Sequence, residues 1–297
     1  MTLDQLRIFI QVAEREHLTK AADALALTPS AVSSSIKSLE EQYGTMLFHR
    51  VGRRIELTEA GRIFLIEARL TLNSARAAEL TLSELGNMKR GTLNIHASQT
   101  IASYWLPPIL VRFHQQYPQI SCNLTVGNTQ QVAQSVSEGI ADLGYVEGQI
   151  DAGQLNVKIV SRDQDVVVVA PEHPWANGVP VTPAELVNSS WIMREPGSGT
   201  RAVLEDILAL VGVELSSLTV ALTLPSNEAV RSAVMSGQFA TLVSKFVVDA
   251  HLKAGLLKQV NINLPQRAFY SLTHQARYQS KAGLAFEELV GNFNDGK

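Results

Sequence analysis

Hydrophobic positions spaced three and four residues apart predict three helices in the amino-terminal part of the chain. The apolar face of the opening helix is formed by Leu3, Leu6, Phe9, Ile10 and Ala13. Two shorter helices are predicted between residues 19 and 39, each capped by a threonine whose hydroxyl can accept from a free backbone N–H. A proline, which suits a first turn, begins the second of these, and Gly44 is predicted to end it.

The second short helix has one apolar and one polar face. Val32, Ile36 and Leu39 form the inward stripe. Small hydroxyls and one cation occupy the other face, as Ser30, Ser33, Ser34 and Lys37. Such a helix, docked by a preceding short helix, suits the major groove of DNA. An ordinary pair of packed helices in a bundle is the alternative that this stretch alone leaves open.

A short hairpin with a cationic tip is predicted directly after these helices. Its anchors are Phe48, Ile55 and Leu57, and Gly52 would form the turn. A wing of this kind brings cations to phosphates or into the minor groove beside a recognition helix. Residues 1–58 contain seven Lys/Arg and seven Asp/Glu, so the placement of the cations, not the net charge, indicates DNA. The predicted DNA-binding residues are Thr19, Lys20, Thr28, Pro29, Ser30, Ser33, Ser34, Lys37, Arg50, Arg53 and Arg54.

One long helical pattern begins at Thr58 and continues to Gly86. Its apolar seam alternates at three and four residues with one polar interruption: Leu65, Ala68, Leu72, Ala75, Glu79 and Leu82. The spacing is that of a coiled coil and predicts dimerisation, because no nearby segment could cover so long a helix. A helix packed on its own domain is the alternative. Two subunits would present two recognition helices to a pseudo-palindromic site.

Strands and helices alternate after Gly91 and predict an α/β domain with a parallel sheet. Residues 139–148 are predicted to form a turn and a strand, and the other predicted strands are residues 92–97, 120–126, 157–160, 165–170, 191–194, 220–224, 239–243 and 269–272. Helices are predicted from residues 105, 128 and 226 onward and over residues 182–186, 201–211 and 280–293. The chain therefore divides into a DNA-binding domain over residues 1–58, a linker helix and hinge over 59–90, and an α/β domain over 91–297.

Polar residues recur where strands of the α/β domain give way to helices. Free N–H groups at helix starts, with hydroxyls beside them, favour an anion, and strand ends converge on one crevice of an open sheet. Gly197-x-Gly199 lets the backbone approach a ligand closely, and Arg194 or Arg201 could add positive charge. Each polar residue alone could be a simple helix cap. The predicted effector-binding residues are Ser98, Thr100, Asn128, Thr129, Glu147, Gly197, Ser198, Gly199, Thr200, Arg201, Ser226 and Asn227.

Composition narrows the class of protein. With 297 residues, 45% hydrophobic and 18% charged, the chain matches an ordinary globular protein of more than one domain. A single cysteine excludes an internal disulfide framework. The start lacks a signal-peptide pattern and the longest apolar run, residues 166–171, is too short for a membrane span, so a cytoplasmic location is expected. The seven histidines include no pair at metal-binding helical spacing, and no cofactor is expected.

Residues 1–90 resemble the LysR-type transcriptional regulators. The motifs that carry this resemblance are Leu3-x-x-Leu6-x-x-Phe9, Thr19-x-Ala21-Ala22-x-x-Leu25, Ser30-Ala31-Val32-Ser33-x-x-Ile36-x-x-Leu39-Glu40, Gly44-x-x-Leu47-Phe48-x-Arg50 and Leu57-Thr58-x-x-Gly61. Ser34 and Ser35 depart from it, since many members carry a longer polar side chain there. The resemblance implies a winged helix-turn-helix head, a linker helix that pairs subunits, a homodimer or homotetramer, and RNA polymerase as a further partner.

The resemblance also implies a two-lobed effector domain like a periplasmic binding protein. Lobe I would hold residues 91–162 and 266–297 and lobe II residues 163–265, with crossings near Arg162 and Pro265. Residues 98–101, 126–129, 147–148, 197–201 and 226–229 look like the branch that holds YeiE-type sulfite-responsive and carbon-fixation regulators. Departures at residues 238–240 and 244–245 would change the floor of the cleft.

The predicted function is that of a DNA-binding regulator that senses a small anionic metabolite between two lobes. Sulfite or a related oxyanion fits the small hydroxyl residues, and a phosphorylated sugar or another carboxylate or phosphate metabolite is the alternative effector. A transport solute-binding protein would need a signal peptide and no DNA-binding head. An enzyme would need a nucleophile and base at workable spacing, and the sequence offers no such order.

Overall fold

The computed structural model describes residues 1–51, 54–85, 91–148 and 150–294. The chain folds into two compact units, one built from the amino-terminal helices and one from the α/β sheet. The elements of the first unit are α1 (Leu3–Arg15), α2 (Leu18–Leu25), α3 (Pro29–Tyr43), β1 (Phe48–Val51), β2 (Arg54–Leu57) and α4 (Glu59–Leu85).

The three predicted helices of the first unit form, with one correction to their caps. Thr28 caps α3 as predicted, its hydroxyl accepting from the Ala31 N–H at 3.2 Å, and Gly44 ends the helix in a left-handed conformation. Thr19, however, lies inside α2. The cap of α2 is His17, whose backbone is extended and whose ring nitrogen Nδ1 accepts from the Lys20 N–H at 3.4 Å.

The core of the first unit is formed by the inward faces of these helices. Val32, Ile36 and Leu39 are buried as predicted. Phe9 of α1 packs between Phe48 of the hairpin and Phe64 of α4, with ring centroids 5.4 and 4.8 Å away. In α1 the prediction was wrong only for Leu3, which lies in the first turn and is exposed, whereas Leu6, Phe9, Ile10 and Ala13 are buried.

The predicted hairpin forms an antiparallel pair. Phe48 lies opposite Leu57, and both side chains are buried, which fixes the hairpin to the helices. Arg50 and Arg54 lie on its two strands. Gly52 and Arg53, predicted at the turn, lie outside the described residues.

The long helix α4 begins after Thr58, whose hydroxyl accepts from the Gly61 N–H at 2.9 Å. The alternative prediction, a helix packed on its own domain, holds for the first half of the seam. Ala68 and Leu72 are buried there in the core of the first unit. Leu82, further along the seam, is 70% exposed. This later part of the seam is therefore available to pair with a second subunit.

Among the described residues, the second unit contains nine strands, one of them only two residues long, and six α-helices. The strands are β3 (Gly91–Ser98), β4 (Ile120–Gly127), β5 (Leu143–Glu147), β6 (Leu155–Val169), β7 (Ser190–Arg194), β8 (Thr219–Leu224), β9 (Ala240–Ser244), the two-residue β10 (Lys258–Gln259) and β11 (Gln266–His274). The helices are α5 (Leu106–Gln116), α6 (Thr129–Ser137), α7 (Gly199–Leu210), α8 (Asn227–Met235), α9 (Lys245–Lys253) and α10 (Lys281–Asn294). A π-helical turn over Ile101–Trp105 leads into α5, and 3-10 turns span Pro174–Asn177, Pro183–Asn188 and Leu215–Ser217.

The sheet is mixed, which corrects the predicted parallel sheet. Its order is β4-β3-β5-β11-β6-β9-β7-β8. The pairs of β3 with β4 and β5 and of β7 with β8 and β9 are parallel. The pairs of β11 with β5 and β6, and of β6 with β9, are antiparallel. The two central strands β6 and β11 thus join a parallel lobe I to a parallel lobe II.

Strand β6 is one element where the sequence predicted two. Its residues up to Gln164 pair with β11, and those from Asp165 onward pair with β9. The polar residues between the two apolar runs therefore do not break the strand but form the crossing between the lobes. Helix α9 and strand β10 were not predicted. Among the described residues, no helix combines the length and the apolar character needed to cross a membrane.

Candidate functional site

The predicted DNA-binding residues whose side chains the structure describes are exposed on the first unit. On α3, Ser30, Ser33, Ser34 and Lys37 are all exposed, as are Thr28 and Pro29 at its start and Thr19 and Lys20 on α2. A groove of about 850 Å³ lies between α3 and the hairpin, and Ser33, Lys37 and His49 line it. The arrangement offers hydroxyls, a cation and an open groove, which a DNA backbone and base edges can approach. The side chains of Arg50 and Arg54 are not described, and Arg53 lies outside the described residues.

In the second unit, lobe I contributes four of the predicted effector-binding residues from strand ends and helix starts. Ser98 ends β3, Glu147 ends β5, and Thr129 begins α6; all three are buried, as is Thr100. The Ser98 hydroxyl donates to the Glu147 carboxylate. The Thr129 hydroxyl donates to the Glu147 carbonyl oxygen at 2.7 Å. The carboxyl ends of two parallel strands and the start of α6 therefore meet at Glu147.

Lobe II meets this point through the start of α7. Ser198, Gly199 and Thr200 are buried there. A Cβ atom on Gly199 would lie 2.1 Å from the Glu147 carbonyl oxygen and 2.6 Å from the Thr129 hydroxyl oxygen. Only glycine allows the two lobes to approach so closely. The adjacent Gly197 has a φ of +86°, and its carbonyl accepts from the Gln130 N–H of lobe I at 3.3 Å.

A second bridge between the lobes runs through the start of α8. The Asn227 side-chain amide donates to the Thr100 hydroxyl at 3.0 Å, and the Asn227 N–H donates to the Gln99 side-chain oxygen at 2.7 Å. Ser226 and Asn128 act mainly as helix caps, which was the alternative reading. The Ser226 hydroxyl accepts from the Ala229 N–H at 3.0 Å, and the Asn128 side-chain oxygen accepts from the Gln131 N–H at 3.0 Å.

A buried guanidinium that the sequence analysis did not single out lies at the base of the cleft. Arg267 of β11 is 6% exposed. Its Nη1 donates to the Thr200 hydroxyl at 3.1 Å, and its Nη2 and Nε donate to Asp163 at 2.8 and 3.0 Å. Asp165 and Glu147 lie 3.3 and 3.9 Å away. Burial acts to lower the pKa of Arg267, but the carboxylates outweigh it and raise that pKa.

Asp165 is a buried carboxyl group of this cluster whose pKa is raised. Burial raises its pKa to about 7; Arg267 opposes the rise, and Asp163 and Glu147 add to it. Among the described residues, neither of its carboxyl oxygens has a hydrogen-bond partner. A neutral Asp165 is therefore favoured below neutral pH, because the charged form has lost water without gaining hydrogen bonds.

The two arginines proposed from the sequence are already engaged elsewhere in the cleft. Arg194 is buried and donates to Glu195 at 2.8 and 3.0 Å and to the Asn227 side-chain oxygen at 2.6 Å. Arg201 donates to Glu205 at 2.8 Å. Arg201 also lines a cavity of about 380 Å³ beside the start of α7, together with Thr129 and Gly197.

One signal in the sequence could have found Arg267. It is a single cation, two residues after the predicted crossing at Pro265, in a run that continues as Ala268-Phe269-Tyr270-Ser271-Leu272. A charge at the start of a buried strand needs a partner. Asp163 and Asp165 precede the run of four valines over residues 166–169 in the same way. Pairing these charges required the register of β6 and β11, which the sequence does not state.

The described residues contain no cluster of three or more side chains suited to hold a metal ion. The cleft chemistry is that of hydroxyls, helix starts and charged groups. Such groups bind and orient an anion by hydrogen bonds and by the positive end of each helix dipole.

Two family models match the chain and together span most of its length. Residues 3–62 match the model described as "Bacterial regulatory helix-turn-helix protein, lysR family". Residues 86–294 match "LysR substrate binding domain". The first matched range lies in the first compact unit, and the second range covers nearly all of the second unit.

Two relatives match over almost the full length. The chain is 35% identical over 284 residues to "Uncharacterized HTH-type transcriptional regulator YeiE" of Escherichia coli K12, covering 95% of this chain and 94% of that protein. It is 33% identical over 296 residues to "Probable RuBisCO transcriptional regulator" of Cyanidioschyzon merolae, covering 98% of each. Both branches named from the sequence motifs are thus represented among its relatives.

Solved structures share the fold. CbnR in complex with its target DNA has a TM-score of 0.70 at 20% identity, covering 98% of this chain and 99% of that one. The regulatory domain of Synechocystis PCC6803 CcmR in complex with 2-PG has a TM-score of 0.63 at 26% identity, covering 69% and 98%. The chain therefore belongs to the LysR family of DNA-binding transcriptional regulators and consists of that family's helix-turn-helix and effector-binding domains.

Proposed function

We propose that this regulator senses a small anion in the cleft between the lobes of its effector-binding domain. The observation that carries the proposal is a buried guanidinium that contacts a threonine hydroxyl at the start of α7, near the point where the start of α6 meets Glu147. Thr129 begins α6, Thr200 lies in the first turn of α7, and Thr200 contacts Arg267 at 3.1 Å. At the start of α6 the Gln130 and Gln131 N–H groups already donate to Gly197 and Asn128. The first turn of α7 would therefore supply the backbone donors, which add no bulk, so a compact ligand with several acceptor oxygens fits best.

The relatives support the same chemistry. CcmR, 26% identical over its regulatory domain, is described in complex with 2-PG, and a close relative in sequence is named for the RuBisCO genes. Sulfite or a related oxyanion is the preferred class for this chain, because the residues around Thr200 are small. A phosphorylated metabolite is the second candidate, since the neighbouring cavity of about 380 Å³ offers room for a larger group.

The effector would act by favouring one arrangement of the lobes. A ligand shifts such an equilibrium only through its different affinity for the two states. Lobe closure would then change the spacing of two recognition helices in a dimer joined by α4. The exposed Leu82 near the end of α4 is available for that pairing. We further propose that two such dimers form a homotetramer. RNA polymerase is a further proposed partner.

Replacement of Lys37 by alanine should weaken DNA binding about equally for all sequences. Lys37 is exposed on α3, and its only ion pair among the described residues is a weak surface pair with Glu41 at 3.5 Å, so its ammonium is free to reach a phosphate. Loss of one phosphate contact should reduce the slope of log affinity against log salt by about 0.9. The measurement is salt-dependent binding of the full chain to a duplex selected from a random pool.

The matched control is Lys258→Ala, which removes an equally exposed lysine from β10 of the other domain. It should leave both affinity and slope unchanged. An unchanged slope for Lys37→Ala would mean that this face of α3 does not contact phosphates.

Replacement of Thr200 by valine should weaken anion binding by at least roughly tenfold, because the buried hydroxyl that contacts Arg267 becomes a methyl group. Valine nearly keeps the shape of threonine, so the fold should survive. The measurement is the rise in melting temperature of the full chain with sulfite, sulfate, phosphate and sugar phosphates, which must depend on concentration. Thr219→Val, an exposed position on β8, is the control. Equal stabilisation of wild type and Thr200→Val would place the ligand elsewhere.

A further inference from the structure

A second cavity lies within lobe I, between α10 and the sheet. Its volume is about 210 Å³, and it is lined by residues of β6, β11 and α10. None of these lining residues belongs to the effector-binding residues predicted for the cleft. The cavity is smaller than the roughly 300–1,000 Å³ of sites for drug-sized molecules, so a ligand here would be small.

A row of polar side chains crosses the sheet beneath α10. Ser271 of β11 lies directly opposite Tyr145 of β5 on one side and Lys158 of β6 on the other. Residues opposite each other in such pairs lie on the same face of a sheet. Ser271 and Tyr145 are buried, whereas Lys158 is exposed. The row therefore runs from a buried phenol, through a serine that lines the cavity, to an exposed ammonium at its rim.

Glu287 of α10 adds a carboxylate to this cavity. It accepts from the Ser271 hydroxyl at 3.4 Å and from the side-chain amide of Gln279. Both partners are neutral. In the part of the chain that the structure describes, neither Glu287 nor Lys158 takes part in an ion pair. The cavity is thus lined by one negative and one positive group that do not neutralise each other.

The Tyr145 hydroxyl, next in the row to Ser271, is buried and has no hydrogen-bond partner among the described residues. Burial raises the pKa of Tyr145, and the charge of Glu287 adds to the rise. A buried hydroxyl that lacks a partner is costly. The floor of the cavity therefore has an unused polar group close to the carboxylate of Glu287.

Gly291 of α10 keeps one side of the cavity open. A glycine within a helix is less stable than an alanine. Among the described residues, nothing lies within 4 Å of a Cβ atom built at Gly291. The packing of the protein does not require glycine at this position, and a larger side chain there would project towards the cavity that Gly291 lines.

We propose that this cavity is a second ligand site of the effector-binding domain and that it binds a free α-amino acid with a short side chain. The ammonium group of the ligand would pair with Glu287, and its carboxylate would pair with Lys158. An ammonium seated against Ser271 and Glu287 would also offer a donor to the Tyr145 oxygen. A ligand with one charge would satisfy only one of the two charged groups. This inference goes beyond anion sensing in the cleft and does not depend on it.

The test is calorimetric titration of the full chain with glycine, L-alanine and L-serine, and with the single-charge analogues methylammonium and acetate. At least one amino acid should bind. Each analogue should bind at least roughly tenfold more weakly than that amino acid, because it makes charged hydrogen bonds at one end only.

Substitutions of the two charged groups should have unequal effects. Glu287→Gln should weaken amino-acid binding at least roughly tenfold. Lys158→Ala should weaken it by roughly twofold to fivefold, because that ammonium is exposed to water. Glu288→Gln is the matched control, since Glu288 is the exposed neighbour on the same helix and does not line the cavity. It should bind the amino acid like wild type.

Two further variants locate the site. Gly291→Leu places a side chain in open space beside the cavity, so it should fold normally and lose amino-acid binding. Thr200→Val, in the cleft, should bind the amino acid as wild type does. Lost binding in Thr200→Val alone would place the amino acid in the cleft and overturn the second site.

Absence of binding by all three amino acids would also overturn the proposal and leave anion sensing standing. Wild-type affinity in folded Glu287→Gln would exclude the carboxylate as the partner of the ligand and would contradict the proposal. Should Glu287→Gln fail to fold, Gly291→Leu decides, because wild-type affinity in that variant would show that the cavity is not the site.

Discussion

Arg267→Met should destabilise the effector-binding domain by about 3–5 kcal/mol, because removing one partner leaves buried charges uncompensated. Arg267 is the shared counter-charge of Asp163, Asp165 and Glu147, and methionine fills a similar volume without any donor. The Thr200 hydroxyl also loses the guanidinium that donates to it. The measurement is urea unfolding of the full chain, followed by a probe of the α/β domain.

Arg162→Met is the matched control for this substitution. Arg162 lies in β6 next to Asp163, but its side chain is exposed, and a surface change away from special features should stay within about 0.5 kcal/mol. A loss of equal size in both variants would show that the buried cluster is not the cause.

The pH dependence of folding stability gives a second check on the cluster around Arg267. The pKa of Asp165 is raised from 3.8 to about 7 by burial. The folded state therefore holds a proton that the unfolded state has released, and the stability from neutral Asp165 is complete below the unfolded pKa and is lost as pH rises through about 7. Asp165→Asn should flatten this decline. In Arg267→Met the remaining carboxyls lack their cation, so the destabilisation should be smaller at about pH 5 than at about pH 8.

Local patterns predicted the helices and the hairpin because their causes are local. The stripe Val32, Ile36 and Leu39 needs only its own spacing, and the Thr28 cap needs only the next three residues. The same logic was wrong at α2, where His17 and Thr19 lie two positions apart and either could cap the helix. His17 caps the helix because its backbone is extended, and the sequence alone could not distinguish that conformation from one at Thr19.

The continuous strand at the crossing between the lobes could not be predicted from the sequence, because the residues in contact there are far apart in the chain. Arg267 is paired with Asp163 across strands 104 residues apart. The polar stretch around Asp163 resembles a loop, and only pairing with β11 makes it part of one continuous strand. Helix α9 was missed for another reason: Phe246, Val247 and Val248 follow β9 after Lys245 alone, and so short an apolar run does not distinguish a helix from a strand.

The positions of the cleft residues could be predicted in part from the sequence. Strand ends and helix starts predicted where polar groups would gather, and the structure brings Ser98, Thr129, Glu147 and Thr200 to the base of one cleft. Which of these residues cap a helix and which face the cleft depends on side-chain geometry, and the sequence does not give that geometry. Ser226 serves its own helix, whereas Thr129 donates to another strand, although both occupy the start of a helix.

Gly199→Ala should weaken anion binding by roughly 5–150-fold, because closing the lobes would cost about 1–3 kcal/mol more. A Cβ atom there would lie 2.1 Å from the Glu147 carbonyl oxygen and 2.6 Å from the Thr129 hydroxyl oxygen. The Glu147 carbonyl is a backbone group and cannot yield as a flexible side chain would, so the lobes must separate. Gly148 crowds the same point, since its own Cβ would lie 2.9 Å from the Gly199 Cα.

The measurement for Gly199→Ala is calorimetric titration with sulfite and phosphate, together with small-angle scattering to detect more open lobes. Gly291→Ala is the control, because Gly291 lies in α10 with nothing within 4 Å of an added Cβ. That variant should bind like wild type and, with alanine in a helix, be as stable or more stable by up to about 1 kcal/mol. If Gly199→Ala bound both anions normally, the ligand would not depend on close approach of α7 to Glu147, and the site would have to lie outside the contact between the lobes.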